Sequence, residues 1–116
     1  MSNQASLELC KELYELSGWK NTFASWNLNT GQIVTNKQGL NCTPEFYISA
    51  YDLGYLLRKL PERILYYNFE LLHCKNWKAA YIHLQGINVK YIKSADTPED
   101  AVVRLALELF KEGVLK

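Results

Sequence analysis

The chain has 116 residues, of which 48% are hydrophobic and 22% charged, with a formal net charge of +1. That length suits one domain spanning 1–116 that buries its own core without staples, and the apolar share excludes a disordered chain. The charge balance lacks the basic excess of a dedicated nucleic-acid binder, and no apolar stretch reaches the roughly 20 residues that cross a bilayer.

Ser6 to Leu16 predicts an amphipathic helix. Leu9, Cys10, Leu13 and Leu16 recur at helical spacing, Glu8, Lys11, Glu12 and Glu15 line the other side, and Gly18 follows where a left-handed cap residue belongs. Phe23 to Leu28 and Gln32 to Thr35 flank Asn29-Thr30-Gly31 and read as a hairpin, with Trp26 as a core residue of its first strand. Asn36 to Thr43 reads as a loop. Ser49 to Asp52 resembles a capping box opening a second helix, whose apolar face is Leu53, Leu56, Leu57 and Leu60 and which Pro61 ends. Gly54 inside that helix suggests close packing against another backbone.

Three strands follow, Ile64 to Cys74, Trp77 to Leu84 and Val89 to Ser94, joined by hairpin-sized links and therefore antiparallel. Alternation along the middle strand sends Trp77, Ala79, Tyr81 and His83 one way and Lys78, Ala80, Ile82 and Leu84 the other; the second set is the more apolar and is expected on the core side. The final helix is the clearest element: Thr97 caps it, Pro98 takes its first position, Glu99 and Asp100 occupy its first turn, and Gly113 ends it. Its polar residues, Asp100, Arg104, Glu108, Lys111 and Glu112, with Glu99, form a solvated stripe of mixed sign. The expected fold is α+β in the order α-β-β-α-β-β-β-α, an antiparallel sheet packed by helices.

No converging catalytic group is evident. His73 and His83 share a strand face if their strands pair across Lys75-Asn76, but Cys74 points to the opposite side, so a His/Cys metal set does not assemble. Cys10 lies on an apolar helix face, and Cys42 falls in the loop with nothing to activate it. The glycine-rich, P-loop, zinc-protease and nucleophile-elbow motifs are all missing. The three cysteines form no CxxC pair, and the start MSNQASLELC lacks the basic and apolar run of a signal sequence, so a reducing cytoplasm is expected. No catalytic residue, cofactor or metal is assigned.

Two binding readings come from different chemistry. The aromatics Trp19, Tyr47, Tyr51, Tyr55 and Trp77, if exposed, suit a protein partner, a second copy of the chain included, because Tyr and Trp dominate binding hot spots. The alternative is single-stranded nucleic acid on the Lys/Tyr sheet face, with His73, Lys75, Lys78, Tyr81, Lys90 and Lys93 as the candidate contacts. The order of the C-terminal elements is similar to that of double-stranded RNA-binding domains, yet the final helix carries acids where those domains present basic residues.

The segment AYDLGYLLRKLP, 50–61, with WKAAYI, 77–82, and ADTPEDAVVRLALELFKEGVL, 95–115, resembles small phage- and prophage-encoded proteins of unassigned function. The resemblance implies an accessory protein of a bacterial cytoplasm that works by binding, and it brings no catalytic residues.

Overall fold

A computed structural model describes residues 4–19, 24–27, 30–35, 47–83, 85–86 and 88–115. Along the chain come α1 (Leu7–Ser17), β1 (Ala24–Asn27), β2 (Gln32–Thr35), β3 (Tyr47–Ser49), α2 (Leu53–Lys59), β4 (Arg63–Ile64), β5 (Tyr67–Cys74), β6 (Asn76–His83), β7 (Val89–Ala95) and α3 (Pro98–Lys111). The strands form two antiparallel sheets, one in the order β2-β1-β3 and one in the order β4-β5-β6-β7. The α+β class and the helix-packed antiparallel sheet hold. β3 and β4 are additional to the expected elements, and the loop 36–43 with Cys42 lies outside the described residues.

Helix α3 lies on the four-stranded sheet and α1 and α2 pack on α3, while α1 also carries the three-stranded sheet through β3. The core where these layers meet includes Cys10, Leu13, Tyr51, Leu56, Ala79, Tyr81, Val102, Val103, Leu105 and Leu109. Burying a large apolar side chain of this kind contributes about 1.5–3 kcal/mol. The helix ends follow local chemistry. Thr97 Oγ1 accepts the Asp100 N–H at 3.2 Å, and Gly18, at φ 67°, donates its N–H to the Tyr14 carbonyl at 2.8 Å. Asp100 Oδ1 also accepts the Ser6 N–H at 2.7 Å, which ties the start of α1 to the first turn of α3.

Four expectations are corrected. The cap of α2 is Asp52, whose Oδ1 accepts the Tyr55 N–H at 2.8 Å; Ser49 is held in β3 opposite Ser25 and cannot serve. Among the described residues no foreign backbone closes on Gly54: a methyl group there would meet the side-chain atoms Arg58 Nη1 and Asp52 Oδ1 at 3.5 Å, ordinary van der Waals contact. The core side of β6 is Trp77, Ala79 and Tyr81, because α3 covers that face and Ala79 and Tyr81 are fully buried beneath it. Leu84 lies outside the described residues. Glu99, expected on the solvated stripe, is buried, and among the described residues its Oε1 has no hydrogen-bond partner.

The expected strand Ile64 to Cys74 is broken. Ile64 pairs with Tyr67 across a two-residue turn, Leu65-Tyr66, in which Leu65 has φ 54°. Positive φ at the first central residue alone is the type II′ pattern, where glycine is usual. At the other end of β5, Cys74 pairs with Asn76, so the expected link Lys75-Asn76 shrinks to Lys75 alone, at φ 65°. A one-residue turn with positive φ is strained for any residue that carries a Cβ.

Candidate partner-binding site at the open end of the sheet

The expected contact aromatics are not one surface. Tyr51 and Tyr55 are buried, and their rings stack at 5.4 Å inside the core. The Tyr51 hydroxyl donates to the Trp19 carbonyl at 2.5 Å, a partner that lets a phenol sit away from water. Trp19 is half-buried edge-on to Phe110 at 5.2 Å. Trp77 is half-buried at the far end of the sheet, stacked on His73 at 4.3 Å with 11° between the planes. The Tyr47 side chain lies outside the described part of β3. As a contiguous exposed patch, the set Trp19, Tyr47, Tyr51, Tyr55 and Trp77 is therefore replaced.

The alternative set is also dispersed. Tyr81 is buried and donates its hydroxyl to the Pro61 carbonyl at 2.7 Å, so it presents no face to a base. Lys75 tops the one-residue turn, beside His73. Lys78 lies on the sheet face away from α3, next to Leu72 in the register. Lys93 is on the α3 face and pairs with Glu108 at 3.5 Å. Lys90 stands apart from all of them, near the start of β7. His73 and His83 do share a face, but the pairs His73↔Trp77 and Tyr67↔His83 close opposite ends of the hairpin. Six residues of strand separate them, roughly 20 Å. Among the described residues no three His, Cys, Asp or Glu side chains lie close enough to hold a metal ion.

What the fold brings together is the end of the sheet that carries the β4–β5 and β6–β7 turns. The Tyr67 ring meets the His83 ring edge-on at 5.3 Å, and the Tyr66 ring lies 6.4 Å from His83. β7 contributes a bulge: Tyr81 pairs with Tyr91 and Ile82 with Val89, leaving Lys90 as an extra residue. A bulge re-aims its side chain. Here it accompanies Lys90 Nζ lying 5.8 Å from the Tyr67 ring and 5.9 Å from the Tyr91 ring. His83 also organises the β6–β7 turn. Its Nδ1 accepts the Gln85 N–H at 3.2 Å, its carbonyl accepts the Gly86 N–H at 2.7 Å, and its own N–H donates to the Asn88 carbonyl at 2.7 Å.

Around this cluster stand large apolar groups left in water. Leu65 is 72% exposed and Tyr66 68%, both on the strained turn; Val89 and Ile92 on β7, 47% and 49% exposed, lie on the opposite face of the sheet, in register with Ile82 and Ala80. Leu65 was not foreseen as a contact because nothing in Arg63 to Asn68, with no Gly or Pro and its one Asn past the turn, marks a turn. Tyr66 and Tyr91 were legible only as strand aromatics. The bulge at Lys90 depends on pairing that no local signal encodes.

The chain matches no family model, no curated protein and no solved structure. Among the described residues no helix is long and apolar enough to cross a membrane.

Proposed function

We propose that this chain is a non-enzymatic accessory protein of the phage or prophage type, acting in a bacterial cytoplasm by binding a protein partner through the open end of its four-stranded sheet. The observation that carries the reading is Leu65, a bulky side chain held at φ 54° yet 72% exposed. A left-handed conformation costs a residue with a Cβ about 1–2 kcal/mol. The exposed side chain offsets little of that cost within the chain itself, and strain maintained at an exposed position is characteristic of binding sites. Tyr66, 68% exposed on the same turn, extends the apolar lip, and exposed aromatic anchors of this kind make protein hot spots.

Nucleic-acid binding draws less support. Lys75, Lys78, Lys90 and Lys93 are divided among the far turn, the outer face, the aromatic cluster and an ion pair, so they form no cationic track for a phosphate backbone. A photo-crosslinking residue in place of Tyr66 tests the reading in the producing cell, with the same residue in place of exposed Lys75 as the control. A discrete protein adduct from position 66 alone, lost when Leu65 is also changed to Ser, is expected. Adducts of equal yield from both positions, or from neither, would remove the proposal. Sedimentation of the pure chain separates a second copy from a different partner.

A further inference from the structure

The bound partner's chemistry can be read from the polar groups of the same cluster, an inference that rests on the protein-binding reading. Its cation is Lys90, which makes no ion pair among the described residues and whose ammonium lies against the Tyr67 and Tyr91 rings. Because His83 Nδ1 accepts the Gln85 N–H, the proton of the neutral ring sits on Nε2, so the free nitrogen of that imidazole is a donor. The phenols of Tyr66, Tyr67 and Tyr91 can donate as well. A site rich in donors, with one ammonium unpaired among the described residues and the exposed Leu65 and Tyr66 beside it, is complementary to an anion attached to an apolar side chain.

We propose that the open end of the sheet captures an acidic peptide segment of its partner, with a Glu or Asp carboxylate on Lys90 and His83 and a neighbouring apolar side chain on Leu65 and Tyr66. The bulge at Lys90 supports this assignment. Without the extra residue the strict alternation of β7 would carry position 90 to the face opposite Tyr91, away from the tyrosines. A nucleic acid fits less well, since one ammonium supplies only one phosphate contact.

The test titrates the isotope-labelled full chain with acetyl-Leu-Glu-Phe-amide, with its Gln counterpart and with a thymidine oligonucleotide, following the ring signals of Tyr66 and His83 by NMR. Charge-assisted hydrogen bonds predict that the Glu peptide binds about tenfold more tightly than the Gln peptide. Lys90→Gln should abolish that preference, and Lys90→Arg should retain it. Lys90 is exposed, so both variants keep the fold. Equal affinity for the two peptides, no movement of these signals up to about 10 mM peptide, or tighter salt-sensitive binding of the oligonucleotide overturns the proposal. The crosslink at position 66 separates the two readings: an adduct that forms undiminished in Lys90→Gln sinks the acidic-segment assignment alone, whereas absence of any adduct sinks both.

Discussion

Replacing Leu65 separates stability from binding, because the turn conformation and the exposed side chain act in opposite directions. The side chain is 72% exposed, so little more than a quarter of its surface is shielded. Truncation to alanine should therefore cost only about 0.5–1 kcal/mol, a fraction of the roughly 1.5–3 kcal/mol of full burial. Alanine keeps the Cβ and hence the penalty of φ 54°. Glycine removes that penalty of about 1–2 kcal/mol and returns about 0.5–1 kcal/mol through the greater freedom of the unfolded chain. Leu65→Gly should thus be more stable than Leu65→Ala by roughly 0.5–1 kcal/mol, the reverse of the usual order, or about 2–6 °C in Tm. Urea unfolding of both variants with the parent reads the free energies, and the crosslink from position 66 reads binding, which both should lose. A Leu65→Gly chain less stable than Leu65→Ala, or a loss beyond about 2 kcal/mol in either, would show that Leu65 is a packing residue. The account of the open end would then fail.

Other consequences follow from particular contacts. Gly54→Ala should stabilise the chain by up to about 1 kcal/mol in thermal unfolding, since the added methyl finds 3.5 Å contacts and helix α2 gains propensity; a loss would reveal close packing around α2. Tyr81→Phe should cost about 1–3 kcal/mol in urea unfolding by leaving the Pro61 carbonyl without its 2.7 Å donor, and a neutral result would mean that water replaces the hydroxyl. Alkaline pH should weaken the fold. Burial pushes the Cys10 thiol from 9.0 up to about 11, against the smaller opposing pulls of the Tyr51 backbone and the Trp26 indole, and burial likewise raises the Tyr51, Tyr55 and Tyr81 hydroxyls. The folded chain then holds a proton that the unfolded chain has lost, so stability falls as pH rises from 9 towards 11. For Cys10 the loss is roughly 2 kcal/mol between about pH 8 and about pH 10.5, read from urea midpoints. Cys10→Ala should flatten that fall, and an unchanged slope would assign it to the tyrosines.

Much of the secondary structure is written locally. Thr97-Pro98-Glu99-Asp100 announces α3 through a cap oxygen, a fixed φ and acids at the positive helix end, and Gly18 stops α1 because only a residue without a Cβ adopts its left-handed φ freely. The β5–β6–β7 meander is legible in short links between β-prone runs. The face of β6 that meets α3 is not, since Lys78 to Leu84 and Trp77 to His83 are both partly apolar and only the position of α3 decides which set is buried. Burial likewise chose among the tyrosines: Tyr51 and Tyr81 found carbonyl partners inside and were withdrawn from any surface, while Tyr66 was left outside on a turn that no glycine marks. The α+β class and the ends of α1 and α3 belong to the sequence by itself, because each depends on neighbours a few residues apart. The cluster of Tyr66, Tyr67, His83, Lys90 and Tyr91 belongs to the tertiary structure, because it depends on strand pairing and on one extra residue in β7, which are set by packing across the whole sheet.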